Sequence, residues 1–140
     1  MPKPKATMNG TMFDLTSFDR LAKNQEEGVT VEIVHPGNGD DLGLTFVVAG
    51  PDSKLAKNAE RRMIDRRLKG RKVKQLTADE LQNEGLKKLA ACVISWEGMS
   101  EGGKSLECNT ENVLRVFGIC PWIAEQVAET AGDRAAFFTG

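Results

Sequence analysis

The clearest pattern in the chain is a pair of apolar, β-branched segments separated by turn residues. Val29–Val34 alternates apolar and polar residues, which is the period of a half-buried strand. His35–Asp41 contains one proline and two glycines, which favour a turn, and Leu42–Ala49 then resumes the apolar pattern. These segments predict a β-hairpin over about 29–49. Because an isolated hairpin is only marginally stable, we expect it to pack against helices.

The rest of the chain has mainly helical spacing of its apolar residues. Thr77 and Glu80 form a capping-box pattern, and Pro121 suits the first turn of a helix. A short segment that ends at Gly28 predicts one further helix before the hairpin. The longer helices are predicted over about 52–69, 78–95, 110–117 and 121–136. The pattern therefore predicts an α+β fold, in which an N-terminal β-hairpin packs with four to five α-helices. We expect a flexible tail over 1–10 and a single domain over 11–140.

Composition disfavours several classes of function. The chain has 140 residues and a formal net charge of -1, with one histidine, three cysteines and no apolar run long enough for a membrane span. His35 stands beside a proline in the predicted turn, where a lone histidine is usually solvated. No nucleophile, base and orienting group occur in a recognisable pattern. We therefore expect no enzyme activity, no cofactor, no metal site and no membrane association.

One strongly basic segment, Lys54–Lys74, offers a candidate binding surface. Arg61, Arg62, Arg66 and Arg67 are its candidate partner-binding residues. The segment contains no aromatic residue for base stacking, so protein contact is favoured over nucleic acid. The last third of the chain is instead rich in acids. Opposite charges on one small protein suit head-to-tail self-association, and the basic segment also suits an acidic partner. A merely solvated helix face remains the alternative.

Aromatic residues add two further expectations. Trp96 and Trp122 each adjoin an apolar helical pattern, so we interpret them as core anchors. Phe137 and Phe138 are adjacent and cannot both face one side of a helix. One of them is expected in the core, and both are candidate partner-binding residues.

Several short signatures occur in a distinctive order along residues 13–138. They are His35-Pro36 with its glycine-rich turn, Ala49–Ser53 before the arginine-rich helix, Val93–Gly98, Asn109–Val113, and Pro121-Trp122. This order of elements resembles that of the tail assembly chaperones of long-tailed bacteriophages.

The resemblance implies a function based on protein contact. Such a protein would bind and solubilise the tape-measure protein in the host bacterial cytoplasm and help recruit tail tube subunits. It would also be absent from the finished virion. Two alternatives stay open: a tail or connector component retained in the virion, and a small nucleic-acid-binding protein that uses the basic helix over 54–74.

Overall fold

The structure is a computed structural model that describes residues 14–69 and 77–138. The expected tail over 1–10 lies outside these ranges. A 3-10 helix, Leu15–Phe18, opens the described part. The remaining elements are α1 (Asp19–Glu27), β1 (Val29–Val34), β2 (Asp41–Val48), α2 (Lys54–Lys69), α3 (Ala78–Cys92), β3 (Val93–Glu97), β4 (Ser100–Glu101), β5 (Lys104–Ser105), α4 (Thr110–Ile119), α5 (Pro121–Ala131) and a 3-10 helix, Arg134–Phe137. This architecture confirms the predicted α+β fold class.

The predicted hairpin is present, and it forms two strands of a three-stranded antiparallel sheet. Val31 is paired with Phe46 and Ile33 with Leu44, so the buried residues of β1 and β2 face the same side. The strand order is β1-β2-β3, which places β2 in the centre. β4 and β5 form a separate small hairpin.

The third strand corrects the helix predicted over 78–95. That helix ends at Cys92, and Val93–Glu97 pairs with β2 instead. A bulge in this pairing brings Val93 opposite Val48 and Trp96 opposite Phe46, so two residues three positions apart share one face. In the sequence, Val93 follows Leu86 and Leu89 at helical spacing, which explains why the pattern predicts a helix through this segment.

Two other predicted helix ends also differ from the structure, at the start of α2 and at the end of α4. The helix predicted from residue 52 starts at Lys54, because the buried Ser53 hydroxyl caps it by accepting the Ala56 N–H at 3.2 Å. α4 continues past 117 to Ile119, and Pro121 then disfavours a helical conformation at the preceding Cys120.

The last predicted helix, over 121–136, is also shorter in the structure. α5 ends at Ala131, and the segment from Arg134 forms a 3-10 helix instead. The Asp133 carboxylate accepts the Ala135 N–H at 3.1 Å and so begins this separate turn.

The core lies between the sheet and helices α3, α4 and α5. The ring of Phe46 meets that of Trp96 edge to face at 5.6 Å and stacks with that of Phe117 at 6.1 Å. The Trp96 indole N–H donates to the carbonyl of Leu106 at 2.8 Å, so its one polar group is satisfied. Phe137 is also fully buried in this cluster, so it anchors the C-terminal segment.

The outer edge of the sheet is capped at one end by a side chain of α5. The Gln126 amide accepts the N–H of Val34 and donates to the carbonyl of Val34, both at 2.9 Å. It therefore satisfies both backbone groups of the last residue of β1, as a neighbouring strand would. This contact ties α5 to the sheet.

We predict that the two tryptophans differ in their contribution to stability. Trp96 is buried, and Trp96→Ala should lower the free energy of unfolding by about 3–5 kcal/mol. Trp122 is only partly buried, so Trp122→Ala should cost less. Urea unfolding followed by circular dichroism measures both values. An equal or larger loss for Trp122→Ala would contradict this packing.

Candidate functional site

Helix α3 separates two grooves that have different chemistry. The first, which we call the apolar groove, lies between α3 and α5 and has a volume of about 580 Å³. Leu86 and Leu89 line it on α3, and Ala124, Ala128 and Ala131 line it on α5. The second, which we call the cationic groove, lies between α2 and α4 on the opposite side of α3 and measures about 450 Å³.

Gly85 is an unusual residue in the wall of the apolar groove. It lies in the middle of α3, where glycine costs about 1 kcal/mol relative to alanine. A Cβ atom at this position would meet no heavy atom within 4 Å, so intramolecular packing does not require a glycine there. Gly118 of α4 lines the same groove and is equally open. The glycines widen the groove at a cost to helix stability.

The apolar groove is a low-polarity environment. Cys92 lies in its wall, and burial raises the pKa of the Cys92 thiol, while the positive charge of Lys88 opposes part of that rise. The thiol is therefore neutral at physiological pH and acts as an apolar surface. Lys88 and Glu125 supply charge in the lining.

An ion pair holds together the chain segments at one end of the apolar groove. The Arg134 guanidinium donates to both carboxylate oxygens of Asp52, at 2.7 and 2.8 Å. These residues adjoin Pro51 and Gly132, which line the groove. The bidentate hydrogen bonding lowers the pKa of Asp52 and raises the pKa of Arg134.

The cationic groove contains two of the four predicted arginines. Arg62 and Arg66 line it from α2, and Lys87 and Lys88 line it from α3. Arg67 instead donates to Glu84 at 2.8 Å and so joins α2 to α3. Arg61 is exposed and does not line the groove, which fits its helical position opposite the buried Ala59. The structure thus separates the predicted arginine cluster into three environments.

The two predicted phenylalanines also have different environments. Phe137 is fully buried and presents no surface to a partner, so its assignment as a partner-binding residue is wrong. Phe138 is 49% exposed and remains a candidate. The expectation that one of the pair lies in the core is confirmed.

Sequence reasoning did not assign Lys87, Lys88 or Gly85 to a site. In the sequence, Gly85 is a glycine inside a helical pattern, where it lowers helix stability, and this was the available signal of a special position. The two lysines have no distinguishing pattern along the chain, because only the packing of α3 against α2 brings them to the arginines.

Other candidate chemistry has a structural explanation. His35 Nδ1 accepts the backbone N–H groups of Gly37 at 2.9 Å and Asn38 at 3.2 Å, so the ring stabilises its own turn. Among the residues that the structure describes, no group of three His, Cys, Asp or Glu side chains is placed to hold a metal ion. No helix within 14–69 and 77–138 has the length and apolar character needed to cross a membrane.

Comparisons of the chain with protein-family models, with curated proteins and with solved structures gave no match.

We predict that Gly85→Ala stabilises the protein by about 1 kcal/mol, because it improves helix propensity and contacts no other residue. Thermal and urea unfolding measure this change. Gly28→Ala is the matched control: Gly28 has a φ of 85°, and a Cβ atom there would lie 2.5 Å from the carbonyl oxygen of Val48, so this variant should lose stability. Destabilisation by Gly85→Ala would show that the groove is closed at this point.

We also predict a pH-dependent contribution from the pair Asp52–Arg134. Because the pKa of Asp52 is lowered in the folded state, the pair stabilises the fold above the unfolded-state pKa of about 3.9, and this contribution is lost as the pH falls through the folded-state pKa. Arg134→Gln should therefore be less stable than the unsubstituted protein near neutral pH, and the difference should disappear in acid. Urea unfolding at a series of pH values measures it. A difference that does not change with pH would contradict the assignment.

Proposed function

We propose that this chain is a tail assembly chaperone of a long-tailed bacteriophage. In this proposal it binds apolar helical segments of the tape-measure protein in the host bacterial cytoplasm and releases them as tail tube subunits assemble. It acts by binding and catalyses no reaction. The order of sequence signatures supports this function, and the apolar groove supplies a surface suited to it.

The single observation that carries the proposal is the open glycine in the wall of the apolar groove. A helix that keeps Gly85 where nothing fills the space sacrifices stability. A glycine on a helix surface lets another backbone approach closely. Helix-in-groove recognition uses a partner helix whose apolar side chains recur every three or four residues, and such a helix would cover Leu86 and Leu89.

The size of the groove fits weak and repeated binding. A groove of about 580 Å³ accommodates only a few side chains of a partner helix, so a single contact gives modest affinity. A tape-measure protein is long and offers many such segments, so several copies could cover it together. Weak individual contacts would also allow tube subunits to displace the chaperone.

The proposal is tested by blocking the groove without harming the fold. We predict that Gly85→Leu folds at least as stably as the unsubstituted chain, because leucine favours helices and its Cβ atom would meet no heavy atom within 4 Å. The same substitution should sharply reduce the amount of soluble tape-measure protein recovered on co-expression, because the added side chain occupies the groove. The tape-measure partner is the long helical reading frame expected just downstream of this gene.

Asn83→Leu is the matched control. Asn83 is exposed on the same helix and lines neither groove. The leucine introduced there adds an equal apolar side chain outside the proposed site. Recovery of the tape-measure protein should be unchanged in this variant. Equal recovery with Gly85→Leu and the unsubstituted chain would refute the groove as the binding site. Presence of the chain in purified virions would instead favour a structural component.

A further inference from the structure

The cationic groove carries a positive charge that the protein itself does not neutralise. Within residues 14–69 and 77–138, no ion pair involves Arg62, Arg66, Lys87 or Lys88. Glu84 is the one acid that the described residues contribute to the lining, and it is paired with Arg67, which does not line the groove. Four cations therefore face a shared space with their charges available to a ligand.

The lining between these cations is apolar. Ala59 and Met63 contribute from α2, Ala91 from α3 and Leu114 from α4. A ligand that combines negative charge with apolar groups would therefore contact both kinds of side chain in the lining. A bare phosphate chain would satisfy the cations but would leave the apolar lining unused.

The first turn of α4 adds to the positive potential. Thr110, the first residue of this ten-residue helix, lines the groove. The N-terminal end of a helix carries a partial positive charge and favours carboxylates nearby. The Asn109 side chain caps the helix by accepting the Asn112 N–H at 2.8 Å, and Glu111 in the same turn offsets part of this potential.

We propose that the cationic groove is a second protein-binding site, which receives an acidic, amphipathic segment of a partner protein. Glutamate or aspartate carboxylates pair with Arg62, Arg66 and Lys87, and leucine-like side chains of the same segment contact Met63 and Leu114. In the described part of the chain, no aromatic side chain lines the groove, so the stacking that single-stranded nucleic acids use is missing there. This site shares Lys88 with the apolar groove, but it does not depend on the identity of the partner proposed there.

The test uses a defined probe and the full chain. A fluorescein-labelled helical peptide of about 15 residues, with Leu and Glu on one face, is titrated with the protein and followed by fluorescence anisotropy. Its counterpart with Gln in place of Glu, and a single-stranded DNA of similar length, are titrated in parallel. We predict that the acidic peptide binds best and that its affinity falls as salt is raised.

Two double variants locate the site. Arg62→Gln with Lys87→Gln removes one cation from each side of the groove, and we expect it to weaken binding of the acidic peptide at least about tenfold. Lys57→Gln with Arg61→Gln is the control, because it removes the same charge from α2 outside the groove. It should change the affinity by less than about twofold. Arg66→Gln is a second variant within the groove. Circular dichroism spectra check that each variant is folded.

Several results would overturn the inference. Equal loss in both double variants would show that only net charge matters. Tighter binding of the DNA, with the same dependence on Arg62 and Lys87, would make the groove a nucleic-acid site. Dissociation of an oligomer in the groove variant, without loss of peptide binding, would assign the groove to contact between copies of the chain. Absence of peptide binding by the unsubstituted protein would also refute the proposal.

Discussion

Helix α3 passes into strand β3 at Cys92–Val93 without a loop, and the arrangement of the helices depends on this junction. The carbonyl of Cys92 accepts the N–H of Ala49 at 2.8 Å, so the end of the helix is bonded directly to the end of β2. Trp96 then lies against Phe46 in the core. Because the helix and the strand are continuous, sheet packing also fixes the position of α3, against which α2, α4 and α5 pack.

Helix α3 contributes residues to both grooves. The residues of α3 that face α5, such as Gly85 and Leu89, line the apolar groove, and those that face α2, such as Lys87, line the cationic groove. Lys88 lines both. In our account the molecule binds an apolar helix at the apolar groove and an acidic segment at the cationic groove.

The sequence predicts local structure well in this chain and long-range proximity poorly. The hairpin, the Thr77–Glu80 capping box and the start of α5 at Pro121 depend on neighbouring residues, and all three predictions are confirmed. β3 was missed because Val93 and Ile94 continue the helical spacing of Leu89 and Ala90. The grouping of Arg62 with Lys87 depends on packing between two helices, which residue spacing alone does not encode. Neither groove was therefore predictable as a site, although Arg62 and Arg66 of the cationic groove were predicted as binding residues.

The most direct test of the account asks whether a helix of the tape-measure protein, the proposed partner, contacts the apolar groove. Alanine methyl groups report on the apolar groove through Ala56, Ala124, Ala128 and Ala131. Ala22, Ala78 and Ala135 lie outside its lining. Methyl NMR spectra are recorded while an apolar helical peptide from the tape-measure protein is added. The account predicts that the signals of the four groove alanines shift first and most strongly. Shifts confined to the other alanines, or no shift at saturating peptide, would contradict it.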